Sequence, residues 1–186
     1  PKGEPYFGGL AQYPFGYIEL NILGSRNYMK KVFEEQTFTF PTEEPIGKVL
    51  AHECFHMVNH RIMHLSTTGY PDTPDGKSKF FADMNSISED RFPLYVLFAK
   101  LENWQLDGLH YKRTVPDHRI KGKHYGSLDE YISEMFAMFK YRPDLLSKQE
   151  STFFKNLENG VSKEGDRFLK KVIENPKILL ESQFVP

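Results

Sequence analysis

Leu50-Ala51-His52-Glu53-Cys54-Phe55-His56-Met57-Val58-Asn59 is the stretch on which the reading of this chain turns. Residues four apart on an α-helix are offset by about 40° and one turn, so His52 and His56 can direct their imidazoles at one ion about 2 Å away. Glu53 sits one step round the helix and leans beside such an ion rather than onto it. From there its carboxylate can take a proton from a metal-activated water and hand it to a departing amine. Two histidines and a glutamate in this order are the pattern of hydrolytic zinc sites.

The surroundings read as a helix. Thr42 is a candidate N-cap, Glu43 and Glu44 suit the positive end, and Pro45 is tolerated only in a first turn. Apolar residues then recur near the helical period at Ile46, Val49, Leu50, Phe55, Val58, Ile62 and Leu65, and Thr67-Thr68-Gly69 closes the run. His60 and His64 continue the four-residue ladder. The stripe drifts around the axis, however, and His64 lies about 18 Å from His52 along it, so one ion cannot serve all four. Both are read as solvated or locally bonded. Asn59, seven residues from His52 and on its face, is a candidate to orient a ligand imidazole, with an exposed helical amide as the alternative. Cys54 is expected to face away from the metal as a small core residue.

A catalytic zinc needs a third protein ligand and an open position for water. A metzincin would place Gly at 59 and His at 62; Asn59 and Ile62 exclude that class. A carboxylate from a later helix is the other common solution, and two segments offer one. Glu89, in Ser86-Ile87-Ser88-Glu89-Asp90, is most simply a charge at a helix start. Residues 127–139, Ser-Leu-Asp-Glu-Tyr-Ile-Ser-Glu-Met-Phe-Ala-Met-Phe, form a second helix opened by a capping box of Ser127 and Glu130. Glu134 lies beside its apolar face, where a carboxylate is costly unless paired with a cation or bound to metal.

These two stretches together resemble the zinc peptidase family of anthrax lethal factor and the Pro-Pro endopeptidases. The likeness spans roughly residues 40–160, and its core is the motif helix followed downstream by Glu130-Tyr131-Ile132-Ser133-Glu134-Met135-Phe136, with Tyr141 to Leu157 similar to the family's aromatic-rich closing segment. The resemblance implies His52, His56 and Glu134 as zinc ligands and Glu53 as general base. It also implies a tyrosine that steadies the oxyanion. Ser127 stands seven before Glu134 where that tyrosine would be, so Tyr125 is assigned the role, with Tyr131 as the alternative. Secretion or export from a bacterium, with delivery to a host cell, is implied by the resemblance alone.

The 186 residues fit one domain, with a sheet-bearing part over about 1–65 and a helical part over about 80–186. A net charge of −1 gives no electrostatic footprint for nucleic acid. No apolar stretch has membrane-spanning length. The start at Pro1 reads as a mature product or an excised domain, and the single cysteine precludes an internal disulfide. Residues 1–16 are expected to be irregular, 17–23 and 36–40 to be strands, 93–106 a helix, and the C-terminal third helical, with one helix over 162–174. Either of these strands, 17–23 or 36–40, is a candidate to lie beside the motif helix and pair with an extended peptide, the alternative being that both simply build a small sheet. His110, His118 and His124 are spaced as surface residues. The expected architecture is therefore α+β and zincin-like, with a small mixed sheet, one Zn and a protein or peptide substrate. The alternative is a zincin scaffold that binds peptides without cutting them.

Overall fold

The computed structural model describes residues 9–20, 45–106, 108, 115–117, 119 and 124–181. The expected cap at Thr42 to Glu44, the strand over 36–40, the end of the strand over 17–23, and His110 and His118 lie outside them.

The chain first forms an antiparallel hairpin of β1 (Gly9–Gln12) and β2 (Tyr17–Leu20), with Ala11 opposite Ile18. Residues 9–12, expected to be irregular, are thus a strand: their backbone pairs with β2 although their side chains carry no alternation. The connection passes through a tight turn at Tyr13–Phe15 that closes at Gly16, whose φ of 73° favours a residue without a Cβ. Tyr13 drops from this turn into the core.

The motif lies in α1 (Pro45–Ser66), a long helix that meets most other elements. Phe55 faces the core at 1% exposure and packs against the rings of Phe136 and Phe154. Phe55 lies about 60° and 100° round the helix from His52 and His56, so its anchoring fixes the rotation of the turn that carries both imidazoles. Cys54 lies on the helix side away from the two histidines and is exposed rather than buried. The helix α2 (Pro74–Asp83) starts at Thr73, whose hydroxyl accepts from the Gly76 N–H. Arg61 of α1 ties its neighbourhood together through bonds to Asp72 and Asp166.

After α2, α3 (Pro93–Leu101) stops five residues short of the expected end. Asn103 adopts φ 56°, and the Trp104 N–H turns back to the Ala99 carbonyl. A short pair, β3 (Val115–Pro116) with β4 (His124–Tyr125), leads into α4 (Leu128–Tyr141). α4 runs antiparallel to α1. Gly47 faces the Tyr141 hydroxyl with no room for a Cβ, while at the other end His60 meets Asp129. α5 (Lys148–Glu164) begins with a complete capping box of Ser147 and Glu150. Gly165, at φ 54°, then breaks the helix expected over 162–174 and starts α6 (Asp166–Glu174).

One core cluster joins these elements, with Phe55, Ile62, Phe80, Phe98, Tyr131, Phe153, Phe154 and Phe168 at its centre. The fold is mixed and mostly helical. Among the described residues the strands form two antiparallel pairs rather than a mixed sheet. No described helix is long and apolar enough to cross a membrane.

Candidate metal centre

Everything in the site comes from the middle of α1 and the first two turns of α4. Ser127 caps α4 by accepting the Glu130 N–H at 3.2 Å. The helix start favours the negative charges of Asp129 and Glu130. Because the two helices are antiparallel, successive turns of α1 meet carboxylates of α4 in reverse order. Lys48 and His52 meet Glu134, His52 and His56 meet Glu130, and His56 and His60 meet Asp129.

The imidazoles of His52 and His56 face one another through their Nε2 atoms, 3.0 Å apart. Glu130 supplies the third side of the group, with carboxylate oxygens 3.3 Å from His52 Nε2 and 3.6 Å from His56 Nε2. On the far side of each ring stands another carboxylate. Asp129 Oδ2 lies 2.7 Å from His56 Nδ1, and Glu134 Oε2 lies 3.4 Å from His52 Nδ1. An ionised carboxylate only accepts, so the nitrogens that face it carry the protons. The two Nε2 atoms converge with the anionic Glu130 carboxylate, and such a group calls for positive charge at its centre, a proton on Nε2 or a cation in its place.

Burial alone would lower the His52 pKa, but its hydrogen bonds to Glu130 and Glu134 outweigh burial and push it up to about 10. His56 is likewise raised against the effect of burial, chiefly by Asp129. Glu130 is lowered although burial opposes this, the His52 hydrogen bond being the largest favourable cause.

A metal ion fits the same place. Donors at zinc-ligand distance around a tetrahedral ion sit about 3.3 Å from each other. The separations of 3.0, 3.3 and 3.6 Å straddle that value. The His56 side chain is 6% exposed and that of Glu130 is 37%, so the group opens to solvent on the Glu130 side. A catalytic ion needs such an opening for water.

Glu53 is buried at 7% exposure beside this group, held by the Ala11 backbone N–H from β1. Burial raises its pKa, opposed by the two neighbouring imidazoles. β1 and β2, the latter part of the strand expected over 17–23, both pack on the motif helix.

The donor group differs from the expected one by a single residue. His52 and His56 are brought together as foreseen, but Glu130 completes the group. Glu134, expected as the third ligand, forms an ion pair with Lys48 and backs His52. Tyr125 is buried, and its hydroxyl donates to Asp117 Oδ2 at 3.1 Å. Burial, reinforced by Glu134 and Asp117, holds that hydroxyl well above the usual range. The Tyr131 hydroxyl is engaged with Arg119 and Glu102. Asn59 donates to Asp129 at 2.6 Å rather than to a ligand imidazole. His60 and His64 are buried and bonded, to Asp129 and to the Tyr13 hydroxyl respectively, and His124 is exposed.

No protein-family model, no curated protein and no solved structure matches the chain.

Proposed function

We propose that the chain is a zinc-dependent endopeptidase with a zincin-like domain, in which His52, His56 and Glu130 hold the metal and Glu53 is the general base. The observation that carries the reading is the convergence of two Nε2 atoms and a carboxylate, with a second carboxylate behind each ring. Such backing carboxylates accompany imidazole ligands because they fix the tautomer and raise ligand basicity. Glu134, ligand in the family pattern, takes the supporting part instead.

A zinc ion in this group would supply Lewis acidity toward the scissile carbonyl and make a bound water acidic enough to react near neutral pH. The chain's own residues do the rest. Glu53 accepts a proton from the attacking water while that water's oxygen bonds to the carbonyl carbon. It then delivers the proton to the amine nitrogen as the C–N bond breaks, which leaves a carboxylic acid and an amine and returns Glu53 to its starting state. Its burial keeps its basicity closer to neutral pH than that of an exposed carboxylate.

The alternative, a peptide-binding module without turnover, would be favoured by a missing base or donor. Glu53 and a complete donor group are both in place. The test is cleavage of a mixed peptide library by the zinc-loaded chain, followed by mass spectrometry. The reading expects internal cuts that vanish with a chelator and in Glu53→Gln. Zinc uptake and peptide binding without any cut would establish the non-catalytic module instead.

A further inference from the structure

Asp129 has no exposed side-chain surface, and a carboxylate in that position is costly unless its oxygens are filled. Among the described residues, three donors reach them. Oδ2 accepts from His56 Nδ1 at 2.7 Å and from His60 Nε2 at 2.9 Å, and Oδ1 accepts from Asn59 Nδ2 at 2.6 Å. These contacts determine where the ring protons sit. His56 carries one on Nδ1, so Nε2 is the nitrogen it presents to His52 and Glu130. His60 carries one on Nε2, and its buried Nδ1 has no hydrogen-bond partner. Ser133 Oγ, 3.2 Å from His56 Nδ1, lies against the same edge of the ring.

We infer that Asp129 is a positioning residue that locks His56 in the Nδ1–H tautomer, and that His60 and Asn59 clamp the Asp129 carboxylate in the orientation this requires. His56, His60 and Asp129 are also close enough to hold a cation of their own. A cation there would strip the proton from His56 Nδ1 while Nε2 serves the first group, making one imidazole an anionic bridge. One proton on each ring satisfies the same contacts without that.

The inference rests on the zinc reading only for its consequence at the metal; the tautomers themselves do not depend on it. The test is nitrogen-15 imidazole spectroscopy of the whole chain, metal-free and titrated with zinc, together with zinc affinity by chelator competition. A proton on His56 Nδ1 and one on His60 Nε2 are expected in both states, with one zinc per chain that perturbs His56 at Nε2. Asp129→Asn, folded by circular dichroism, should bind zinc about 10- to 100-fold more weakly. His60→Phe removes a donor toward Asp129 and should weaken zinc binding in the same direction. A bare His56 Nδ1, two zinc ions per chain, or unchanged affinity in folded Asp129→Asn would each overturn the inference. Should Asp129→Asn fail to fold, the parent spectra decide. Should the chain take up no zinc, the peptidase reading falls, while the His56 Nδ1 proton in the metal-free chain still decides this one.

Discussion

Glu134 lies 3.4 Å from His52 Nδ1 and is ion-paired with Lys48, so it approaches the imidazole from the side opposite the Nε2 that faces His56. Its carboxylate is therefore placed to orient His52, while Glu130, one turn earlier on α4, occupies the side where the two rings converge. The two glutamates should accordingly differ in what their loss does.

Glu130→Ala should abolish tight zinc binding, with affinity down at least about 100-fold. Glu134→Gln should keep one zinc per chain, bound about 10- to 100-fold more weakly. Isothermal titration with zinc on both variants checks this, and the reverse order would restore Glu134 as the ligand.

Tyr125→Phe removes a buried hydroxyl that donates to Asp117. A structural bond of this kind is worth about 1 kcal/mol, to be read as a lower denaturation midpoint, with kcat within about threefold of the parent. A fall of about 100-fold or more in kcat at unchanged zinc content would instead make the hydroxyl an oxyanion donor.

Gly160 sits where a Cβ would enter the ring of Phe168, which has no exposed surface and nowhere to move. Gly160→Ala should destabilise the chain by about 1–3 kcal/mol through overpacking between α5 and α6. Thermal unfolding of the variant without metal gives the value.

Arg61 holds Asp72 and Asp166 below the usual carboxylate range through its hydrogen bonds to them. Groups depressed in the folded state contribute stability above their unfolded pKa of about 4, and that contribution is lost as pH falls through the lower folded values. Both partners are half exposed, so each contact is worth under about 1 kcal/mol. Arg61→Leu should therefore flatten the acid limb of the stability–pH curve while leaving zinc affinity unchanged.

How much of this was readable beforehand differs by element. The motif helix was legible because its apolar period, its closing Thr67-Thr68-Gly69 and its chemistry agree over many residues. Glu130 was hidden by a good local reason. Ser-x-x-Glu at a helix start is a capping box, and Ser127 does take the Glu130 N–H, but the Glu130 side chain turns to the two histidines. At Ser147 and Glu150 the same spelling gives the complete box. Only the antiparallel packing of α1 on α4 separates the two cases, and that is a tertiary fact. Asp129 was missed likewise, since an acid in a first turn is explained by the helix dipole alone. Glu134 was singled out rightly as a carboxylate too close to the core to stand unpaired; its partners proved to be a lysine and the back of an imidazole. The break at Gly165 could have been read from the glycine itself, whose φ of 54° ends one helix and begins the next.

The most direct measurement is anomalous diffraction at the zinc edge from crystals of the zinc-loaded chain. The account predicts one peak about 2 Å from His52 Nε2, His56 Nε2 and a Glu130 oxygen, with Glu134 and Asp129 on the outer nitrogens. A peak on Glu134 in place of Glu130, or none between the two histidines, would contradict it.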